Sequence, residues 1–384
     1  MSAPFNVPGL GGALIRGMTI RGMRIDGARI ALTALVGLGC GFGLSRLGAP
    51  APYMLGSLFG AWGLGALVPQ AQTYLGTPRW FHKFIVLGLS TLIGGALSID
   101  VLRQALGWWP TVLAMMASTL IATLLALIYL RGIRQQPMAQ ALLSALPGGQ
   151  ADIVAVAHEY TDRDHLVALV HLCRVVSVFV SMPLLLAFVS GPQGVQDSYL
   201  AQANLPSLFD QSWQVPFHLI AVGLVGFLIG RALKIPMPHL LGPLILSMAL
   251  HLAGVIDIPR LGEFVLVAQL FIAGSIGARL SRVPLREVAV GLADGVVTAI
   301  LLIGSYILVA FLCSQILGID LMEMILAFIP GGLYEVTLLA LIFGFDAALA
   351  FIAFHHTLRI LLIFFSLPWL MDWAKRFYSN SHKS

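Results

Sequence analysis

Two arginines inside apolar segments are the residues best placed to do chemistry in this chain. Arg174 has Leu169-Val170 and Val175-Val176 as neighbours, and Arg359 lies in the stretch His-His-Thr-Leu-Arg-Ile-Leu-Leu-Ile. An arginine at membrane depth costs at least about 3 kcal/mol and needs a partner. Its guanidinium could offer a bidentate fork to the carboxylate or phosphate of a solute. The structural alternative is that each arginine pairs with a nearby acid and locks two segments together.

A broken-helix motif precedes each arginine, and it occurs twice. It reads Pro-Gly-Gly with an acid three residues later: Pro147, Gly148, Gly149 and Asp152 in the first copy, and Pro330, Gly331, Gly332 and Glu335 in the second. These residues leave backbone groups unpaired, which membrane proteins tolerate only inside protein or beside water. The amides and positive dipole end of the segment after each break favour an anion. We therefore predict that the two Pro-Gly-Gly triplets and the two arginines bind a substrate.

Two acids and two histidines are candidates for coupling to a proton or a cation. Asp152 and Glu335 lie in the first turn after each break, where they either cap the helix or carry a coupling charge. His171 and His356 stand one helical turn before the arginines, on the same face. They are either proton relays or buried structural histidines. Both alternatives stay open for all four residues.

Composition places the chain in a bilayer. Hydrophobic residues make up 58% of the 384 residues and charged residues only 10%, where soluble domains carry about a quarter; the mean hydropathy is +0.91. The net charge of +5 lies at segment ends and not on a patch, which argues against nucleic-acid binding. Three separate cysteines and ten scattered histidines form no ligand pattern. We predict no cofactor, no metal and no enzyme activity.

Internal duplication predicts the architecture, which is an all-α polytopic membrane protein. The sequence Ala-Pro-Tyr-Met-Leu-Gly at 51–56 corresponds to Met-Pro-His-Leu-Leu-Gly at 237–242. Each half contains five apolar spans and one segment interrupted by Pro-Gly-Gly, at 137–160 and 322–344. The arms of these segments are half as long as a span, so each is either one broken span or a re-entrant hairpin. The predicted spans are 30–47, 52–68, 82–99, 107–130 and 165–189, then 217–233, 238–255, 262–280, 287–317 and 346–371.

Loop charges choose between these alternatives and set the orientation. The segment 190–216 has no Lys or Arg and should lie outside, whereas the basic N-terminal arm should be cytoplasmic. An odd number of crossings must separate them, so the two repeats are inverted, with about ten spans and two oppositely directed hairpins. We predict a basic arm at 1–29, repeat one at 30–189, an external linker at 190–216, repeat two at 217–371 and a cytoplasmic tail at 372–384.

The duplicated pattern resembles that of the AbrB family of integral membrane proteins. The resemblance rests on two copies of Pro-Gly-Gly-x-x-[Asp/Glu], each followed by an apolar helix with His-x-x-Arg and a later proline, and it covers about residues 28–372. It implies a duplicated membrane domain. Family members are often labelled putative ammonia monooxygenase or regulator of gene expression, so it also implies these two functions as alternatives.

The sequence favours a secondary active transporter of a small anionic solute in the cell inner membrane. The solute would be coupled to H⁺ or Na⁺ and would bind where the two hairpin tips meet at mid-membrane. The expected partners are the lipid bilayer and that solute; whether the chain forms a homo-oligomer stays open. The alternative is a membrane-embedded regulator or sensor that acts through a protein partner. A monooxygenase is the least favoured, because adjacent histidines on a helix, such as His355 and His356, point in different directions.

Overall fold

A computed structural model describes most of the chain. It covers residues 10–97, 99–148, 150–283, 285–345 and 347–381, and within these ranges the side chains of 10–22, 100, 102, 150–152, 154–155, 285–292 and 375–381 are outside the description. Two predicted site groups, Gly149 and the carboxyl of Asp152, therefore lie outside the described part of the structure. Within the described ranges the chain forms α-helices, short 3₁₀ and π turns, and loops.

Sixteen α-helices follow one another along the described residues. They are α1 Leu10–Arg46, α2 Pro52–Leu67, α3 Arg79–Gly95, α4 Ile99–Ala105, α5 Trp109–Leu127, α6 Met138–Ala145, α7 Gln150–Tyr160, α8 Asp164–Ala203, α9 Gln214–Ala232, α10 Pro238–Leu252, α11 Gly262–Ala268, α12 Gly274–Ser281, α13 Leu285–Leu317, α14 Leu321–Phe328, α15 Leu333–Ile342 and α16 Leu349–Ser381. A π turn at Ile128–Ile133 extends α5, and another at Gln269–Ala273 joins α11 to α12.

The fold is that of an all-α polytopic membrane protein, as predicted. Seven described helical segments are long and apolar enough to cross a membrane: Met23–Arg46, Trp109–Ile133, Asp164–Asp210, Gln214–Ala232, Gly262–Ser281, Ala293–Leu317 and Leu349–Ala374. Three further predicted spans coincide with the shorter helices α2, α3 and α10, which have 16, 17 and 15 residues. Each of the ten predicted spans therefore corresponds to a helical segment.

The two Pro-Gly-Gly motifs interrupt helices as the sequence predicts. The first break separates α6 from α7, and the second separates α14 from α15. The residue before each proline, Leu146 or Ile329, is extended, with ψ of 127° and 142°. A proline disfavours helical geometry in the residue before it, which explains why each first arm ends there. The arms have 8 to 11 residues, so each spans roughly half of a bilayer core.

Close glycine contacts recur at equivalent helix crossings in the two halves. A β-carbon on Gly56 of α2 would overlap the backbone of Gly41 in α1. In the second half, a β-carbon on Gly242 of α10 would overlap the backbone of Gly226 in α9. Small residues allow helices to approach closely in membranes, where packing replaces the hydrophobic effect. The sequence repeat is therefore also a repeat of helix contacts.

A second pair of glycine contacts joins one half of the sequence to the other. Gly94 of α3 lies against the carbonyl of Leu244 in α10, and Gly277 of α12 lies against the carbonyl of Leu58 in α2. In both cases a β-carbon on the glycine would collide with that oxygen. The third span of each repeat thus packs on the second span of the other repeat.

Helix boundaries differ from the predicted segment boundaries at three places. The segment predicted as an external linker, 190–216, is helical up to Ala203, after a break at Gly191 where φ is 67° and ψ is −172°. Pro192 follows this glycine, and proline is well tolerated in the first turn of the new helix. Helix α1 runs through the predicted arm from Leu10, and α16 runs into the predicted tail as far as Ser381.

The described chain packs as two compact units. The first comprises the described residues of Met1–Leu47, Pro52–His82 and Gln269–Arg282. The second comprises the described residues of Gly48–Ala51, Lys83–Ala268 and Val283–Ser384. Each unit draws on both halves of the sequence, which agrees with the contacts between α2 and α12 and between α3 and α10. Both broken segments lie in the second unit.

Candidate functional site

Arg174 closes the first broken helix. The residue lies on α8 with its side chain buried (2% exposed). Its Nη1 donates to the carbonyl of Leu146 at 2.9 Å, and its Nη2 donates to the carbonyl of Gly148 at 3.0 Å. Because the chain turns away at the proline, these oxygens have lost the amide donors of a continuing helix. The guanidinium supplies the missing donors.

Arg359 makes the equivalent contacts, and one more, at the second break. It lies on α16 with 1% of its surface exposed. Its Nη1 donates to the carbonyls of Phe328 and Ile329 at 2.7 and 2.9 Å, and its Nη2 to that of Gly331 at 3.0 Å. The C-terminal end of a helix carries partial negative charge, which favours a cation there. Both arginines therefore serve as C-terminal caps provided by a distant helix.

The histidines complete each cap. Nε2 of His171 lies 2.9 Å from the carbonyl of Leu143, and Nδ1 accepts from Nη2 of Arg174 at 2.9 Å. His356 makes equivalent contacts with the carbonyl of Leu326 and with Arg359, both at 2.9 Å. A carbonyl requires a proton on Nε2 and an arginine requires a lone pair on Nδ1, so this network assigns the neutral Nε2–H tautomer. A proton added to Nδ1 would face the guanidinium, so this geometry favours the structural alternative for both histidines.

These contacts give the structural lock partners besides the expected acids. The sequence suggested Asp152 and Glu335 as the partners of the arginines, whereas the hydrogen bonds that hold each break run from the guanidinium to neutral carbonyl oxygens. A salt bridge would cancel the charge of the arginine, but carbonyl dipoles only solvate it. The cap therefore leaves a formal positive charge buried at each break.

Glu335 lies beside the second break in the first turn of α15. Its side chain is buried, and its carboxylate folds over Gly332 so closely that a β-carbon on the glycine would collide with it. This contact explains the second glycine of the motif, since any other residue would displace the carboxylate. The equivalent residues of the first copy, Gly149 and the side chain of Asp152, are outside the described part.

Each break also touches the arginine helix of the other repeat. A β-carbon on Gly148 would lie 3.2 Å from Cγ2 of Ile363 in α16, and one on Gly331 would lie 3.5 Å from Cγ1 of Val178 in α8. Val178 and Ile363 each stand four residues after the capping arginine of their own helix. The two breaks and the two capping helices thus form one cluster in the second compact unit, and this cluster contains every described residue of the predicted site. We call it the hairpin cluster.

Two residues of the hairpin cluster were not predicted from sequence. The guanidinium carbon of Arg359 lies 5.7 Å from the ring centroid of Tyr306 on α13. The hydroxyl of this tyrosine donates to Oγ1 of Thr119 on α5 at 2.8 Å. Tyr306 is almost fully buried. The only signal in the sequence is a polar aromatic residue within an apolar helix, and that signal does not say which way the ring points.

His355 belongs to the aromatic surroundings of the cluster. Its Nδ1 lies 2.8 Å from the carbonyl of Phe351, and its Nε2 lies 2.8 Å from Oγ1 of Thr111. The rings of Trp108 and Phe351 stand 6.2 and 4.2 Å from its ring centroid. Among the described residues, no group of three or more His, Cys, Asp or Glu side chains could hold a metal ion.

Asp294 on α13 binds the segment that precedes the first broken helix. Its Oδ1 lies 2.6 Å from Nε of Arg134 and accepts from the hydroxyl of Tyr129 at 2.9 Å. Its Oδ2 accepts from Nε2 of Gln136 at 3.3 Å. The aspartate fastens the loop before α6 to α13. Sequence reasoning passed over this residue because it has no acidic counterpart in the first half.

The fold and the hairpin cluster define a class of protein: a polytopic α-helical membrane protein with two broken helices, each capped by an arginine from a later helix. The family model described as "Transition state regulatory protein AbrB" matches residues 58–375, so the chain belongs to the AbrB family. A similar protein is the "Uncharacterized protein YhjN" of Bacillus subtilis (strain 168). It is 26% identical over 346 residues, which cover 85% of this chain and 88% of that relative.

Proposed function

We propose that this protein is a secondary active transporter of a small anionic solute, coupled to H⁺ or Na⁺. The observation that carries the proposal is the pair of buried arginines whose hydrogen bonds run to neutral carbonyl groups. A buried cation attracts an opposite charge strongly, because the low dielectric of the interior weakens screening. An anionic solute can supply that charge.

The backbone at the second break adds to this attraction. Helix α15 begins at Leu333, directly after the break, and its first amides have no acceptors within the helix. Free amides and the positive dipole end make a helix N-terminus a suitable site for an anion. Carriers of anionic solutes use the same device, with discontinuous helices whose N-termini point at the substrate near the membrane midplane.

The duplication supports transport over simple binding. Two equivalent breaks, each capped by its own repeat and touching the other repeat, suit a site that opens alternately to the two sides. In this proposal the repeats are inverted, with ten spans, and the two broken segments are re-entrant hairpins that enter from opposite faces of the inner membrane. Both termini are cytoplasmic, and the protein carries out no covalent chemistry.

Coupling is assigned to the acids that follow the breaks. Glu335 is buried beside Gly332, and Asp152 occupies the corresponding sequence position in the first copy. A carboxylate in a partly dry cavity can bind a proton or a sodium ion together with the substrate. The histidines of the caps are not needed for this step, because their tautomer is already fixed by Arg174 and Arg359.

Uptake into proteoliposomes tests the proposal. Purified protein is reconstituted and offered labelled small carboxylates or inorganic phosphate, with either a pH gradient or a sodium gradient imposed. We expect gradient-driven accumulation by the wild type and none in protein-free vesicles. Arg359→Gln should abolish uptake, whereas Arg282→Gln should retain it, since Arg282 binds loop carbonyls of Gln72 and Leu75 outside the hairpin cluster. Undiminished uptake after loss of both Arg174 and Arg359 would disprove the anion site.

A regulatory role is the second candidate, and the description of the family model favours it. A regulator without flux would need a partner surface, and the segments outside the predicted spans are short. Removal of residues 1–27 separates the two functions. A transporter should keep its flux if the truncated protein still inserts, whereas a regulator that works through this arm should lose its regulated output.

A further inference from the structure

Each capping arginine has an Nε–H group that the cap does not use. The Nη groups of Arg174 and Arg359 are used on carbonyls and histidines, but the Nε–H of each is buried and has no hydrogen-bond partner among the residues that the structure describes. A buried unpaired donor costs about 1–3 kcal/mol. An unpaired Nε–H recurs at equivalent positions in both repeats, so it is a common property of the two caps.

The two guanidiniums share one region of the protein. Arg174 and Arg359 cap breaks that each contact the capping helix of the other repeat, Tyr306 stands over Arg359, and Glu335 lies in the first turn after the second break. All four side chains are buried in the second compact unit. The described charged groups of this region therefore include two cations and one carboxylate.

Tyr306 limits what can approach Arg359. Its ring lies over the guanidinium carbon, and its hydroxyl is held by Thr119. One face of the guanidinium is thus covered by an aromatic ring, and the Nη edge is occupied by carbonyls. Among the described residues, the Nε–H is the group of Arg359 that has no hydrogen-bond partner.

We propose that a single oxyanion, the carboxylate or phosphate group of the solute, accepts one hydrogen bond from Nε–H of Arg174 and one from Nε–H of Arg359. This inference rests on the proposed function and names the ligand class and the atoms that contact it. A group with two or more acceptor oxygens can serve both donors, whereas a halide offers no such pair of directed acceptors. Charge-assisted hydrogen bonds of this kind contribute about 1.5–3 kcal/mol each.

Nuclear magnetic resonance of ¹⁵N-arginine-labelled protein in detergent observes these atoms directly. Arg174→Lys and Arg359→Lys assign the two Nε–H signals, and Arg282→Lys is the matched control at a carbonyl-bound arginine elsewhere. Acetate and inorganic phosphate are titrated separately against chloride at equal ionic strength. We expect both signals to shift with one common saturation curve for at least one oxyanion, and not for chloride. The preferred oxyanion identifies the solute group as carboxylate or phosphate.

Each lysine variant should weaken the binding of that oxyanion at least about tenfold, since one charge-assisted hydrogen bond is lost. Arg282→Lys should bind as the wild type does. If one lysine variant fails to fold, the other still assigns its own Nε–H signal, and the second signal is the one that shifts with it on the same curve in the wild type, where buried N–H groups exchange slowly with water and stay visible. The proposal is then supported if the two Nε–H signals share one saturation curve and calorimetry gives one bound anion per chain.

Several results would overturn it. These are no shift with any oxyanion, movement of only one signal, or an equal response to chloride. A shift of the Arg174 signal in Asp152→Asn protein without added anion would assign that donor to the chain's own carboxylate and also refute the proposal. Oxyanion binding without flux in proteoliposomes would uphold the site and reject the transporter. Anion flux without these shifts would uphold the transporter and reject the site.

Discussion

Ile363 lies against Gly148, although the two residues belong to different repeats. A β-carbon on the glycine would be 3.2 Å from Cγ2 of the isoleucine. The Gly331–Val178 contact repeats this relationship in the other direction. Each break is therefore hydrogen-bonded to the capping arginine of its own repeat and packed against the capping helix of the other repeat. A displacement of one broken segment should therefore also move the capping helix of the other repeat.

A cysteine pair can test this contact. We expect Gly148→Cys with Ile363→Cys to form a disulfide on mild oxidation, because a β-carbon on Gly148 would lie 3.2 Å from Cγ2 of Ile363, an atom that branches from the β-carbon as a cysteine sulfur does. Cys40, Cys173 and Cys313 are replaced by serine, and a protease site is inserted in 190–216. Oxidised protein should then stay in one piece after proteolysis until it is reduced.

The matched control pairs Gly148→Cys with Leu362→Cys, the neighbouring residue, which is 37% exposed. This pair should separate into two fragments. Equal cross-linking of both pairs would show that the break is not held against one face of α16. In reconstituted protein, the oxidised Gly148–Ile363 pair should also stop flux reversibly.

The contact between Gly332 and Glu335 predicts a compensating pair of mutations. Gly332→Ala should lower the melting temperature, because the new methyl group collides with the buried carboxylate. In a Glu335→Ala background the same change should cost less, by about 1 kcal/mol or more in a double-mutant cycle. Thermal unfolding in detergent provides the comparison.

Gly304→Ala is the control for this cycle. Gly304 lies within α13, and a β-carbon there would have nothing within 4 Å among the described residues. Alanine should be neutral or stabilising by up to about 1 kcal/mol at such a position. Additive effects of Gly332→Ala and Glu335→Ala would argue against the contact.

The histidine of the second cap should tolerate an amide but not a hydrocarbon. Gln can donate to the carbonyl of Leu326 and accept from Arg359, as the neutral imidazole does, so His356→Gln should retain most of the stability. His356→Leu leaves a buried acceptor and a buried donor unpaired and should cost about 1–3 kcal/mol for each. Melting temperatures measure both variants.

Flux separates this structural role from a proton relay. An amide cannot carry a proton near neutral pH, so His356→Gln would lose proton coupling if the histidine were a relay. We expect it to keep the pH profile of the wild type. If the His356→Gln protein folds but its flux no longer responds to a pH gradient, His356 is a proton relay.

The proposed topology predicts which surface positions an impermeant thiol reagent can reach. Phe209 and Ile133 are 86% and 70% exposed, and the loop charges assign them to the outside and the cytoplasm. In protein whose native cysteines are replaced by serine, Phe209→Cys should react in intact cells and Ile133→Cys only after lysis. Reaction of both positions in intact cells would contradict five spans per repeat.

Much of the architecture follows from the sequence because helix breaks and apolar length are local properties. The Pro-Gly-Gly motifs mark where α6 and α14 end, and the periodic apolar runs place the ten helical segments. The predicted linker that begins at 190 is helical as far as Ala203, since Gly191 and Pro192 interrupt a helix that then resumes, and a polar sequence can be as helical as an apolar one.

The chemistry of the site was only partly readable. An arginine in an apolar segment is easy to recognise from the sequence, because its burial is costly. Its partners are harder to predict, because sequence reasoning assumes that a cation pairs with an acid. Every residue has a main-chain carbonyl, so the sequence does not show which carbonyls accept hydrogen bonds from Arg174 and Arg359. Their capping role is visible only in the structure. Tyr306 depends in the same way on the direction of a ring, which the sequence does not encode.

The long chain distance between a break and its cap has a consequence for biosynthesis. Leu146 precedes its donor Arg174 by 28 positions, and Phe328 precedes Arg359 by 31. A nascent chain therefore reaches the insertion machinery with each short arm still lacking its cap, and the exposed carbonyls must stay hydrated until the next helix arrives. In the proposed re-entrant arrangement, the broken segment and the helix that follows it are therefore expected to insert together, because an uncapped arm alone would expose unpaired carbonyls to lipid.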